Sequence, residues 1–235
     1  KNDKFYDSDI LIKNLNSPSL DKGLLIIGNP GIGKSLVLKT FFTIFEKKCA
    51  YNPLYRFRMK NSKEIILQYE SKEDYINNED FFKSFITGFL MIDDVKAEDE
   101  AFKYGKKNLL NDILYFRYEN SARTIITCNY DEKYPNDVEK AIEEFGTKYD
   151  GRIYDRLFEM FNIIEVKDLK SFSQQSQILK DLLCAVLVER HRCVVRRESL
   201  IRFQNGFEYL VHLAYFSSLQ EQQAFLPSCH HSYRP

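Results

Sequence analysis

The chain is defined first by what it does not have. Across 235 residues there is no run of the roughly 20 apolar side chains that a helix needs to cross a bilayer. The opening KNDKFYDSDI has no apolar h-region and does not read as a secretory signal. It also starts with Lys rather than Met, which leaves room for an upstream portion. Formal net charge is zero, so no global field recruits nucleic acid or an anionic membrane, and any such binding must come from local patches. The five cysteines, Cys49, Cys128, Cys184, Cys193 and Cys229, form no C-x-x-C pair, a pattern that fits a reducing cytoplasm better than a disulfide scaffold. No long low-complexity tract interrupts a composition that is 44% hydrophobic, so the chain reads as globular and long enough to bury a core.

Glycine is scarce, with 9 in the chain, yet three fall within six residues. The stretch Leu24 to Ser35, LLIIGNPGIGKS, carries Gly28, Gly31, Gly33, Lys34 and Ser35 in the pattern G-x-x-x-x-G-K-[ST] of a phosphate-binding loop. Leu24 to Ile27 supply the buried strand this motif needs. From Ser35 to Lys48, Leu38, Phe41, Phe42 and Phe45 recur at helical spacing. Strand, loop and helix N-terminus in succession aim backbone N–H groups and a helix dipole at one point, which favours an anion there.

A second anchor is Gly88-Phe89-Leu90-Met91-Ile92-Asp93-Asp94, an apolar strand closed by two carboxylates, which is what a Mg²⁺ ion needs beside a phosphate loop. A third is the β-branched run Thr124 to Thr127, which ends in Cys128-Asn129. In a parallel sheet the Asn129 amide stands beside the metal site and is a candidate for orienting the attacking water, with a turn-forming Asn as the plainer alternative. This geometry requires Asp93 close to Ser35, with the two segments on adjacent strands.

The remaining elements follow from periodicity. A short helix around Leu11, Ile12 and Leu15 is expected near the nucleotide's base. Tyr55, Phe57 and Met59 alternate as a strand, and Ser62 caps a helix over Lys63 to Glu70. Residues 71 to 80 read as loop, followed by a short helix from Phe81 to Phe85. Residues 97 to 119 read as one long helix with Phe102, Leu109, Leu110, Ile113, Leu114 and Phe116 inward. Pro135 to Phe145 suggests a helix ended by Gly146, Asp150 to Met160 another, and Phe161 to Val166 a last strand. Five strands separated by helices imply an α/β fold with a parallel sheet covered on both faces.

Together GNPGIGKS (28 to 35), FLMIDDV (89 to 95), TIITCNY (124 to 130) and GRIYDRLFEMF (151 to 161) resemble the DnaC/IstB-like branch of the AAA+ ATPases, over about residues 20 to 172. That branch comprises replicative helicase loaders and ATPase helpers of transposases. The resemblance implies a P-loop NTPase domain of AAA+ type over 1 to 172, a cytoplasmic ATPase using ATP and Mg²⁺. Gly28, Asn29, Pro30, Gly31, Ile32, Gly33, Lys34, Ser35 and Leu36 would cradle the nucleotide. Lys34 would contact the β- and γ-phosphates, and Ser35 and Asp93 would hold the metal, Asp93 through water. Asp94 would polarise the attacking water and Asn129 would act as sensor 1. Arg156, or alternatively Arg152, would be an arginine finger reaching a neighbouring subunit, so the active unit would be a homo-oligomer with ATP at its interfaces. Implied partners are single-stranded DNA and a replicative helicase, or a transposase instead. Arg156 paired on its own helix surface with Asp155 or Glu159 is the plainer reading.

Two basic clusters are candidate contacts for single strands: Arg56, Arg58 and Lys60, and Lys103, Lys106 and Lys107 beside Tyr104. Solvated faces are the commoner meaning of such clusters. A non-catalytic nucleotide-dependent binding module and a small-molecule kinase share the phosphate loop; Asn129 and the Asp-Arg-Leu helix disfavour the kinase.

From Ser173 the composition changes. The first 170 residues contain no His, whereas the remainder holds all four His, six Arg and a single Lys, Lys180. Where family members resembling this one commonly place an Arg after the Ser-aromatic pair, here Ser171-Phe172 is followed by Ser173. Residues 173 to 235 therefore read as a fused, frameshifted or unrelated extension. A helix over 175 to 190, with Ile178, Leu179, Leu182, Leu183 and Val186 on one side, is a candidate substitute for an AAA+ lid. Cys229, His230 and His231 lack the second spaced pair that a zinc site requires, and a disordered end is the expectation there.

Overall fold

The computed structural model describes residues 10–15, 17–36, 38–39, 42–43, 57–71, 78–102 and 106–167. The extension from 173 onward, with the helix expected over 175 to 190 and the Cys-His-His triplet, lies outside the described residues, as do Arg56, Lys103 and Tyr104.

Strand β1 (Gly23–Gly28) is buried along its whole length, as the unbroken apolar run requires of a strand covered on both faces. Helix α1 starts at 34 and is described at 34–36, 38–39 and 42–43. Then come β2 (Phe57–Asn61), α2 (Ser62–Glu70), α3 (Asn78–Ile86) and β3 (Phe89–Val95). A small hairpin, β4 (Ala101–Phe102) with β5 (Lys106–Lys107), precedes α4 (Leu109–Glu119). The chain continues through β6 (Thr124–Cys128), α5 (Val138–Lys148), α6 (Gly151–Met160) and β7 (Phe161–Val166). The main sheet has the order β2-β3-β6-β1-β7, and every pairing in it is parallel. Helices supply the crossovers that parallel neighbours demand. The five-stranded α/β architecture expected from the sequence is therefore present.

Several local expectations are corrected. Residues 10–15 form no helix. Leu11 bridges Ile164 antiparallel, with Ile12 N donating to Ile163 O at 2.9 Å and Glu165 N to Ile10 O at 2.9 Å, so this segment covers the open edge of β7. Helix α2 is capped by Asn61, one residue earlier than expected, in a capping box with Glu64. Ser62 is thereby released for another task. The long helix over 97 to 119 is instead the hairpin plus α4, because the Asn108 side chain accepts from Asn111 N at 3.2 Å and starts the helix there. Phe102 is 65% exposed rather than inward, and Phe116 is at 37%. Pro135 lies in a turn, Asp137 caps α5, and Gly146 sits inside that helix instead of ending it. A Cβ on Gly146 would meet Tyr154 Cβ at 3.3 Å, so the glycine lets α5 and α6 pack closely. Helix α3 also starts earlier than expected, at Asn78.

The core lies between the sheet and its helices, with Leu25, Ile27, Ile92, Ile126 and Ile163 from four strands packed with Leu110, Leu114, Phe145 and Leu157. Arg117 is buried at 0% exposure, where its guanidinium donates to Thr124 Oγ1, Phe85 O, Gly88 O and Arg123 O. It ties α4 to the chain at the starts of β3 and β6. Burial, and secondarily Arg58, push its pKa down to about 9, which leaves it charged at neutral pH. No described helix is long and apolar enough to cross a membrane.

Candidate active site

The site forms where the C-terminal ends of β1, β3 and β6 converge. After β1 the loop turns through Gly31 (φ 82) and Gly33 (φ 96), left-handed conformations that glycine adopts without a Cβ penalty. Helix α1 then starts at Lys34, with Ser35 in its first turn. Lys34 is buried to 8% exposure. Its ammonium bridges Gly28 O at 2.7 Å, Asn29 O at 2.8 Å and Asn129 Oδ1 at 2.8 Å. A second tie across the loop runs from Asn29 Nδ2 to Asn136 Oδ1 at 3.0 Å.

The two acids occupy different positions. Asp93 is buried at 5% exposure, and its Oδ1 accepts from Ser35 Oγ at 3.0 Å and from Thr127 Oγ1 at 2.6 Å. Asp94 Oδ1 accepts from Asn129 Nδ2 at 3.1 Å. Lys34, Asn129 and Asp94 thus form one hydrogen-bonded chain. The β3–β6 register shifts between Ile92 and Val95, a bulge at the two acids. Bulges recur beside active sites, where they re-aim side chains. Asp94 (φ 59) and Lys96 (φ 78) are both left-handed without being glycine, a strain of roughly 1–3 kcal/mol each. Asp94 is held in place by Thr127 Oγ1, which accepts from Asp94 N at 2.8 Å, and by Ser62 Oγ, which donates to Asp94 O at 2.7 Å.

Pro30, Gly31, Gly33, Lys34, Ser35, Asp94, Thr127 and Asn129 line an open cavity of about 310 Å³. Four residues expected from distant parts of the sequence, Lys34, Ser35, Asp94 and Asn129, are among them. Asp93 stands behind Ser35 and Thr127. One expectation fails: β1 and β3 are not adjacent, because β6 runs between them. The contact survives because the loop after β1 carries Ser35 across the end of β6 to Asp93, and a sequence alone does not give strand order.

Sequence reading missed Thr127 as a functional residue. The spacing carries the signal, since Thr127 lies on strand β6 two residues before Asn129, which follows directly on the strand's end. Ser62 has the spacing of a helix cap, and nothing in that spacing points to Asp94.

A hydroxyl and a carboxylate oxygen 3.0 Å apart beside a polar cavity suit Mg²⁺, which takes few protein oxygens and completes its shell with water and phosphate. Among the described residues no cluster of three His, Cys, Asp or Glu side chains forms an all-protein metal cage. The neighbouring Cys128 is buried, and burial pushes its thiol up to about 11.

Arg156 is not among the residues that line the cavity. Its guanidinium lies 4.3 Å from the ring centroids of both Tyr115 and Tyr118 and 3.4 Å from Glu119, so its partner is on α4 rather than Asp155 or Glu159. Arg152 is exposed at the start of α6. Of the basic clusters, Lys106 stands 5.8 Å over the Phe102 ring, while Lys107 stands 4.8 Å over Phe82 and pairs with Asp112 at 2.9 Å.

The fold and the loop define a P-loop α/β protein with a five-stranded parallel sheet. Neither a family model nor a curated protein matches the sequence. Similar solved structures include the DnaC helicase loader, 24% identical over 64% of this chain and 82% of that one, with a TM-score of 0.49. DnaI is 21% identical over 61% of this chain and 72% of its own, with a TM-score of 0.44. The replication initiator DnaA bound to AMPPCP and single-stranded DNA is 16% identical over 88% of this chain and 60% of that one, with a TM-score of 0.46.

Proposed function

We propose that the protein binds ATP with Mg²⁺ in this cavity and hydrolyses it, as an AAA+ helicase loader of the DnaC kind acting on single-stranded DNA and a replicative helicase. The observation that supports it is the chain Lys34–Asn129–Asp94, closed beside the Ser35–Asp93 contact at one end of the sheet. The loop from Gly28 to Leu36, through Asn29, Pro30, Gly31, Ile32 and Gly33, wraps the phosphates with backbone N–H groups. Lys34, now satisfied by two carbonyls and an amide oxygen, exchanges these for β- and γ-phosphate oxygens. Ser35, and Asp93 through water, would hold Mg²⁺, which would supply positive charge against the phosphates. Asp94 accepts the proton of the attacking water, and Asn129, donating to Asp94, fixes where that carboxylate points.

A finger from a neighbouring subunit, Arg156 or Arg152, completes the site in a homo-oligomer. In this superfamily's logic such a finger is worth ~10³–10⁵ in rate.

DNA-stimulated ATP hydrolysis in the parent and in Asp94→Ala tests the reading. Hydrolysis in the parent and its loss in the variant, with nucleotide still bound, supports a motor; equal rates favour a binding module in which ATP only orders an interface. Affinity capture with ATP or a non-hydrolysable analogue separates the partners: a hexameric helicase supports loading, and an integrase-like transposase supports the transposase-helper alternative.

A further inference from the structure

The turn after Asp94 is held from outside the cavity by a cluster that the proposed chemistry does not use. Tyr149 Oη accepts from Lys96 N at 3.0 Å and donates to Glu98 Oε1 at 2.6 Å. Lys148 Nζ donates to Lys96 O at 2.5 Å and to Glu98 O at 2.6 Å. Lys96 extends under α5, donating to Ala141 O at 3.1 Å and pairing with Glu144. Glu98 is 3% exposed, and its Oε2 has no hydrogen-bond partner. A buried carboxylate left half-satisfied calls for a reason beyond packing. Burial first, and Glu98 second, hold the Tyr149 hydroxyl well above its ordinary pKa, so it stays a donor.

Tyr149 is the C-cap of α5, and Asp150 is the N-cap of α6. The residues that grip the left-handed Lys96 therefore also form the junction into the helix that carries Arg152 and Arg156. Asn108, the cap of α4, joins them by donating from Nδ2 to Lys148 O at 2.8 Å.

We propose that Tyr149 is a positioning residue for Asp94: its hydroxyl, oriented by Glu98, sets the backbone of the Asp94–Lys96 turn and so places the Asp94 carboxylate against Asn129. This rests on the reading of the cavity as a hydrolytic site. Tyr149 does not line the cavity, and it acts only through the turn.

Tyr149→Phe removes the hydroxyl and keeps the ring. Its kcat is expected to fall about ten- to hundredfold, as a misplaced catalytic group would produce, with KM and nucleotide Kd within about twofold of the parent. Glu98→Gln, which keeps a carbonyl oxygen to accept from Tyr149, should retain kcat within about threefold of the parent. The backbone amides of residues 95–98 should exchange with solvent faster in Tyr149→Phe than in the parent. A kcat in Tyr149→Phe equal to the parent's overturns the proposal, as does a loss of kcat matched by the loss of nucleotide affinity and of Tm that mere unfolding would give. Should the parent hydrolyse no ATP, the hydrolytic reading fails. The exchange measurement still decides the brace, since unchanged protection at 95–98 overturns it and faster exchange supports it.

Discussion

Thr127 donates its hydroxyl proton to Asp93 Oδ1 at 2.6 Å. The hydroxyl oxygen of Thr127 in turn accepts from the backbone N–H of Asp94 at 2.8 Å. One side chain thus fixes both acids, and its removal should be felt at both. Thr127→Val preserves shape but removes the acceptor of the Asp94 N–H and leaves the buried Asp93 Oδ1 with Ser35 Oγ as its remaining donor. It should lower stability by about 1–3 kcal/mol in urea titration and reduce ATP hydrolysis by at least about tenfold. Thr127→Ser, which keeps the hydroxyl, should stay close to the parent on both measures.

Gly23 opens β1 where that strand passes β6. A Cβ placed there would meet Thr124 O at 1.9 Å, a backbone atom that cannot rotate away. Gly23→Ala should therefore destabilise by about 3 kcal/mol or more, the upper range for overpacking. A fall in Tm on the order of 10 °C by calorimetry would match that. At Gly31 nothing lies within 4 Å of the position a methyl would take, but φ is +82. Gly31→Ala should cost only backbone strain, about 1–2 kcal/mol, and act mainly on nucleotide binding.

Legibility in the sequence followed the range of the physics. The strand LLIIG, the loop GNPGIGKS and the acids after FLMI are local patterns, and each lies in the element expected of it. What spacing could not supply was order across the sheet. Strand β6 between β1 and β3 is a long-range choice that leaves no local mark, and it is what makes Thr127 the shared partner of both acids. Helix ends failed for a different reason. Asn61, Asn108 and Asp137 each capture a backbone N–H, and each outcompetes a plausible neighbouring cap or an apolar periodicity that runs past it. Phe102 fell in helical phase with α4 yet lies on a hairpin, because Asn108 starts the helix after it.

The Cys128 thiol, raised by burial from 9.0 to about 11, gives a pH dependence with a definite sign. The folded state holds this proton more tightly than the unfolded chain does. Its stabilising effect is complete below pH 9, is lost as pH rises from 9 to about 11, and amounts to about 3 kcal/mol across that window. Cys128→Ala should be less stable at neutral pH by its lost packing, but should show a shallower decline between pH 9 and 11. Denaturant titrations of both proteins at matched pH values measure the difference. At neutral pH the buried thiol should also resist maleimide until the protein unfolds, as read by site-resolved mass spectrometry.

Arg156 is caged by Tyr115 and Tyr118, with Glu119 at 3.4 Å, and its Nη1 is buried without a hydrogen-bond partner. A finger held this way must leave two aromatic faces before it can reach a neighbour's phosphate, whereas Arg152 is already exposed one turn earlier on α6. Arg156→Ala should thus cost stability, about 0.5–2 kcal/mol from the lost stacking, and Arg152→Ala should cost close to none. Activity separates the roles. If the finger works between subunits, a mixture of Asp94→Ala with the finger variant, each inactive alone, should regain hydrolysis because some interfaces pair an intact acid with an intact arginine. Recovery with Arg156→Ala and none with Arg152→Ala assigns the finger to the caged residue, and the cage then becomes the resting state from which subunit contact releases it. Recovery with Arg152→Ala alone leaves Arg156 as a structural brace between α4 and α6.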